Sequence, residues 1–183
     1  MELSDLPTGF AVEPESSNNN NPKVTSKNPK CATFVHVANL TAAPGSKASA
    51  HIAFSAGQSG PFIDESLDAL GGAAAVSALQ STLRRAASAC DQVAVTVPGA
   101  GTSTMTVRIV NPPKYGADPL AIRLTASGGP LDGMELMMVS TGVADTVLAL
   151  NFIAATADDV DGATSVSVDK ATSVLGADST ATS

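Results

Sequence analysis

Two cysteines, Cys31 and Cys90, carry the most specific chemistry in this chain of 183 residues. They lie 59 residues apart, which fits neither the paired ligand spacing of a zinc site nor a C-x-x-C redox couple. Two readings stay open: a disulfide, or two buried thiols acting as small hydrophobes. A disulfide closing a loop of that length is worth about 4 kcal/mol in the chain-entropy description.

The other reactive side chains fall short of a catalytic or metal-binding pattern. His36 and His51 are the only imidazoles. No G-x-S-x-G elbow surrounds any serine, and His51 falls on the polar side of an alternating segment. A Ser/His hydrolase is therefore kept only as a remote alternative, and no catalytic residue is assigned. Asp158, Asp159, Asp161 and Gly162 hint at a calcium loop. Aligning Gly162 with that loop's glycine puts Ala157 and Val168 where oxygen ligands belong, so the acids are read as a helix start. Met134, Met137 and Met138 could suggest soft-metal capture. On a strand, Met137 points away from the other two, so they are read as core filling. Gly99-Ala100-Gly101 follows a strand pattern but precedes another strand instead of a helix, so it is a hairpin turn and not a dinucleotide loop. No metal site and no cofactor are expected. Asn39-Leu40-Thr41 is a formal glycosylation sequon, relevant only in a eukaryotic source.

The elements that would position these residues follow from periodicity. Asn28-Pro29 has the form of a helix start, and Cys31, Phe34, Val35 and Ala38 then fall on one face. This predicts a helix over 29–39, with a strand at 34–37 as the alternative. Residues 47–55 alternate as a strand, and 62–70 read as its return. The strongest helix covers 73–90, with Val76, Leu79, Leu83, Ala87 and Cys90 on one face and Gln80, Ser81, Arg84, Arg85 and Ser88 on the others. Both cysteines thus point inward from helices, which favours their pairing. From residue 93 to 153 strands with a period of two alternate with Gly- or Pro-rich turns, predicting an antiparallel meander. A last helix is expected over 159–176, returning across the same sheet face as the 73–90 helix. Leu3, Leu6, Phe10 and Val12 could pack an entry strand, and residues 16–21 read as loop.

The expected fold class is α+β: an antiparallel sheet, a meander in its C-terminal half, with two to three helices packed on one face and one disulfide. The organisation is an N-terminal extended segment and loop over 1–28, a single domain over 29–176, and a flexible tail over 177–183. The other sheet face is partly open.

Composition limits the partners. The net charge is −7, which argues against nucleic acid and against adsorption to anionic lipid, since both require clustered Lys and Arg. Apolar residues make up 44% of the chain but aromatics only 3%, so a small-residue core gains from a covalent staple. No apolar run is long enough for a transmembrane helix. No basic-then-apolar leader is present, and the chain reads as a mature form whose leader has been removed.

Leu3-Ser4-Asp5-Leu6-Pro7-Thr8-Gly9-Phe10, Pro29-Lys30-Cys31, a strand ending at Phe54, Leu79-Gln80-Ser81-Thr82-Leu83 ahead of Cys90, the segment from Tyr115 to Arg123, and an apolar strand before a terminal helix form a pattern spanning most of the chain. It resembles exported lipoprotein and sensor-like domains of mycobacteria and related actinobacteria, including extracellular sensor regions of serine/threonine kinases. The resemblance implies a secreted or lipid-anchored domain facing the cell wall, with a surface cleft. The lipidated cysteine of that pattern is not in this sequence, and neither is a kinase or membrane segment, so membrane attachment would come only through an anchor absent from this chain. The leading expectation is a non-catalytic envelope domain binding a small apolar or cell-wall-derived ligand. The alternative is an accessory domain that assists an envelope transporter or enzyme through its open sheet face. A deep apolar cavity would favour the first, and a flat exposed apolar patch the second.

Overall fold

The computed structural model describes residues 1–14 and 21–178. The loop expected at 16–21 and the tail expected from 177 lie largely outside the described residues. The elements in chain order are β1 (Ala11–Val12), β2 (Lys23–Thr25), α1 (Ala32–Ala38), β3 (Ala48–Ser55), β4 (Phe62–Ala69), α2 (Ala73–Ala89), β5 (Gln92–Val97), β6 (Gly101–Val110), β7 (Ala117–Ser127), β8 (Glu135–Val143), β9 (Thr146–Ile153) and α3 (Ala157–Asp178). The nine strands form one antiparallel sheet in the order β1-β3-β4-β9-β8-β7-β6-β5-β2. Strands β5 to β9 are sequential neighbours, the meander that the alternating segments predict. The hairpin β3–β4 then docks through β4 onto β9, with Ser66 opposite Ala149 and Asp68 opposite Val147. Both edges of the sheet are short strands from the N-terminal segment, which limits exposed ladder groups available for pairing with another chain.

The helix expected over 29–39 begins as a 3-10 turn at Pro29–Cys31 and continues as α1. Asn28 Oδ1 accepts from the Lys30 N–H at 3.0 Å, so the predicted cap forms. At α3, the Thr156 N–H donates to Asp159 Oδ2 at 2.8 Å, and the Asp159 N–H returns to Thr156 Oγ1 at 3.2 Å. This is a capping box, and it accounts for the acidic start of the helix. Leu6 and Phe10 pack against the body, while Leu3 and Val12 are exposed. Leu3 sits in a 3-10 turn, Leu3–Asp5, instead of an entry strand.

The placement of α3 departs from the expectation that it shares a face with α2. Helices α1 and α2 lie together on one face: Phe34, Ala86 and Ala87 cluster with Val93, Val95, Met105, Val107, Leu120, Ile122 and Leu124. Helix α3 lies on the opposite face, where Val160, Ala163, Val168 and Ala171 cluster with Ala121, Val139, Leu148, Leu150 and Phe152. Ala121 lies between Leu120 and Ile122 in sequence, so by strand alternation the two clusters are on opposite sides of β7. The reason is area. Strands β7 to β9 carry apolar residues on both faces, and α2 covers only one of them. Past the reach of α3, the second face is open over β5 to β7 and presents Thr96, Thr102, Thr104, Thr106 and Thr125, all exposed or half-buried.

The disulfide Cys31–Cys90 is formed, with a Cα–Cα separation of 4.6 Å and both residues fully buried. It ties the start of α1 to the end of α2. Helix α2 comes very close to the sheet at Gly142, where a Cβ would lie 2.7 Å from Val76 Cγ1. That strand position needs glycine for space, since its backbone conformation is ordinary.

Candidate functional site

Between α1, the segment 40–44, α2 and the sheet lies a cavity of about 160 Å³. Phe34, Val37 and Leu40 form one wall, Leu79 and Leu83 of α2 a second, and Ile122 and Met138 the floor. For comparison, an apolar cavity of about 150 Å³ in another protein holds a benzene molecule. The wall on the α1 side is held by two devices. One is the disulfide. The other is Asn39, whose amide nitrogen donates to the carbonyls of Val35 at 2.7 Å and Val24 at 2.8 Å, while its oxygen accepts from the Val24 N–H at 3.0 Å. The sequon asparagine is thus a clamp between α1 and β2.

The lining also holds polar residues: Ser66 and Asp68 of β4, and Asn151 of β9, which stands opposite Asp64 and so four residues along the strand from Asp68. Asp68 is only 3% exposed, and its Oδ1 accepts from Ser49 Oγ at 2.8 Å. Ser140 also lines the cavity and pairs with Gln80, whose Nε2 donates to Ser140 Oγ at 2.9 Å. Gln80 is 1% exposed, a correction to its expected place on a solvated helix face. It stands four residues after Val76 and so one turn along the same stripe. A polar residue on that stripe gave no signal that a serine would meet it.

The sequence-derived candidates are dispersed. His36 is exposed on α1. His51 Nε2 lies 2.7 Å from Asp64 Oδ2, and Asn151 Nδ2 donates to Asp64 Oδ1 at 3.3 Å. Ser66 stands directly opposite His51 in the β3–β4 register, yet no serine hydrogen-bonds to His51 among the described residues. Strand β4 is paired on both sides, so the N–H groups around Ser66 are committed to the ladder and not free to hold an oxyanion. Met134 and Met138 pack with the α2 cluster and Met137 with the α3 cluster, so the three do not converge. Residues 98–100 form the expected hairpin turn, with the Ala100 N–H donating to the Val97 carbonyl at 3.1 Å.

A wider groove of about 750 Å³ opens on the other face beside the start of α3, over Ala121, Met137, Phe152 and Val160. Its charged groups already have partners: Arg123 Nε donates to Glu135 Oε1 at 3.0 Å, and Tyr115 Oη donates to Asp161 Oδ2 at 3.0 Å. The buried side-chain atoms without a partner among the described residues, Glu65 Oε1 and Ser167 Oγ, line neither space. The lining of the cavity on the α1–α2 face is the more apolar of the two.

In comparisons with known proteins, no family model matches the chain, and no curated protein matches it in sequence. Among solved structures it is similar to the extracellular domain of PknH from Mycobacterium tuberculosis. The TM-score is 0.66 at 17% sequence identity, over 91% of this chain and 86% of that one. The two share a fold. No helix among the described residues is long and apolar enough to cross a membrane.

Proposed function

We propose that this chain is a non-catalytic binding domain that holds a small, mainly apolar ligand in the cavity between α1, α2 and the sheet. The observation that carries this reading is the cavity itself: a mainly apolar, half-open pocket between α1, α2 and the sheet, with Ser66 and Asp68 among its few polar lining residues. The domain works outside the plasma membrane, secreted or held by a lipid anchor, in an actinobacterial envelope. A buried disulfide suits an oxidising compartment, and the structural neighbour is named as an extracellular domain. The accessory-domain alternative has less support. The open part of the second face is rich in threonine, and the exposed large apolar residues, Leu3, Val12, Leu40, Ile109 and Val174, are scattered over five segments.

The test is calorimetric titration with hexanol, together with native mass spectrometry for a co-purified small molecule. Ala149 lines the cavity and is half-buried, so Ala149→Leu fills it. Hexanol is expected to bind the wild type and to lose at least about tenfold in affinity for Ala149→Leu, provided thermal denaturation shows the variant folded. Equal binding to both proteins would place the ligand elsewhere and sink the reading.

A further inference from the structure

Two carboxylates are buried among the described residues, Glu65 and Asp68. Glu65 Oε2 is met by the ammonium of Met1 at 2.7 Å. Asp68 has no cation. Ser49 occupies its Oδ1, and no hydrogen bond reaches its Oδ2 among the described residues. A largely buried carboxylate with no countercharge is disfavoured, and buried charges in folded proteins are paired. Asp68 lines the apolar cavity, so the missing partner can come from what fills it.

We infer that the ligand carries a cationic ammonium group on its apolar body, and that Asp68 is the residue that recognises it. This rests on the cavity reading above and names the chemistry of its ligand. An ammonium has three donors and no acceptor. Two lining acceptors have no hydrogen-bond partner among the described residues: Asp68 Oδ2 and Ser66 Oγ. Ser66 and Asp68 are two residues apart on β4, so both face the same side of the sheet. Asn151 is not part of this pair: it stands opposite Asp64, four residues along β4 from Asp68, and its Nδ2 donates to Asp64 at 3.3 Å. No Lys or Arg lines the cavity, and the chain's net charge of −7 favours the approach of a cation. A carboxylate ligand would instead meet Asp68 as a like charge.

The experiment is calorimetric titration of the whole chain at neutral pH with hexylammonium, hexanol and hexanoate, which share one apolar chain and differ in head group. The ammonium is expected to bind at least about tenfold more tightly than the alcohol, consistent with a charge-assisted hydrogen bond in a partly shielded site, and hexanoate is expected to bind most weakly. Asp68→Asn should bring the ammonium down to the affinity of the alcohol and leave the alcohol unchanged. Asp91→Asn, at an exposed carboxylate, should leave the ratio intact and so separate local recognition from general attraction. Equal affinity for ammonium and alcohol in the wild type would overturn the inference while leaving the cavity reading in place. Loss of the ratio in Asp91→Asn would also overturn it. If no probe binds, the cavity reading falls with it. The wild-type ratio decides the matter even if Asp68→Asn fails to fold.

Discussion

Cys31 and Cys90 do two jobs at once. The bond constrains the unfolded chain, and it fixes the wall of the cavity by tying the start of α1 to the end of α2. Unreduced protein from an oxidising compartment should show no thiol available to alkylation. The double replacement Cys31→Ser and Cys90→Ser should lower the unfolding free energy by about 2 to 4 kcal/mol in chemical denaturation. If the loss were negligible, the bond would be compensated by residual structure in the unfolded chain, and its entropic role here would be wrong. Asp68 shows a different kind of residue-level information. Its burial could not be anticipated, because in sequence it sits among Asp64, Glu65 and Ser66 and resembles a solvated strand face.

Among the elements, the 3-10 turn Leu3–Asp5 is held to α3 by charge. Lys170 Nζ lies 2.8 Å from Asp5 Oδ2 and 3.0 Å from Glu2 Oε2. The hydrogen bond from Lys170 is the main cause that lowers the Asp5 carboxyl below its ordinary value of 3.8, with the Glu2 N–H adding to it. The hydrogen bond to Asp5 in turn raises the Lys170 ammonium above 10.5. The signs follow from linkage. A carboxyl with a depressed folded value contributes stability above its unfolded value, and that contribution is lost as the pH falls through the folded one. A raised lysine contributes below its unfolded value and loses this as the pH rises through the folded one. Replacing Lys170 with Met should therefore make the loss of stability on acidification shallower below about pH 4, and the loss on alkalinisation shallower above about pH 10. Denaturation midpoints measured across pH for both proteins check this. Parallel curves would mean the clamp is screened by solvent and contributes nothing.

The whole molecule is a sheet covered on both sides: α1 and α2 on one face, α3 and the N-terminal turn on the other. The two cores share strands but not side chains. Leu79 packs with Val76, Leu70 and Val147 under α2, whereas Val168 packs under α3. Leu79→Ala should cost about 2 kcal/mol or more, since it removes buried apolar volume next to a cavity that cannot close over it. Its effect and that of Val168→Ala should add to within about 0.5 kcal/mol in a double-mutant cycle, because no shared neighbour couples them. A larger coupling would mean that the helices sense each other through the sheet, and a ligand under α2 would then alter the packing of α3.

The amino-acid sequence by itself determined the local structure. Period-two alternation marks the strands, Gly and Pro set the hairpin turns, Asn28-Pro29 starts a helix, and the stripe from Val76 to Cys90 aims a cysteine inward. Each of these depends on residues close together in the chain, so the local pattern carries the information. The side of the sheet taken by α3 was decided only in three dimensions. Alternation shows that a strand has two faces but not how many are covered. The one available signal was the unbroken apolar run Val147-Leu148-Ala149-Leu150, which belongs to a strand buried on both sides. The 62–70 strand was legible, but its pairing with β9, from Phe62 opposite Ile153 to Ala69 opposite Thr146, was not. That pairing sets Ser66 opposite Ala149 and Asp68 opposite Val147, and packing under α1 and α2 then forms the pocket over them. A cavity is space that close packing leaves unfilled, so only the tertiary structure decides where it lies and which carboxylate faces it.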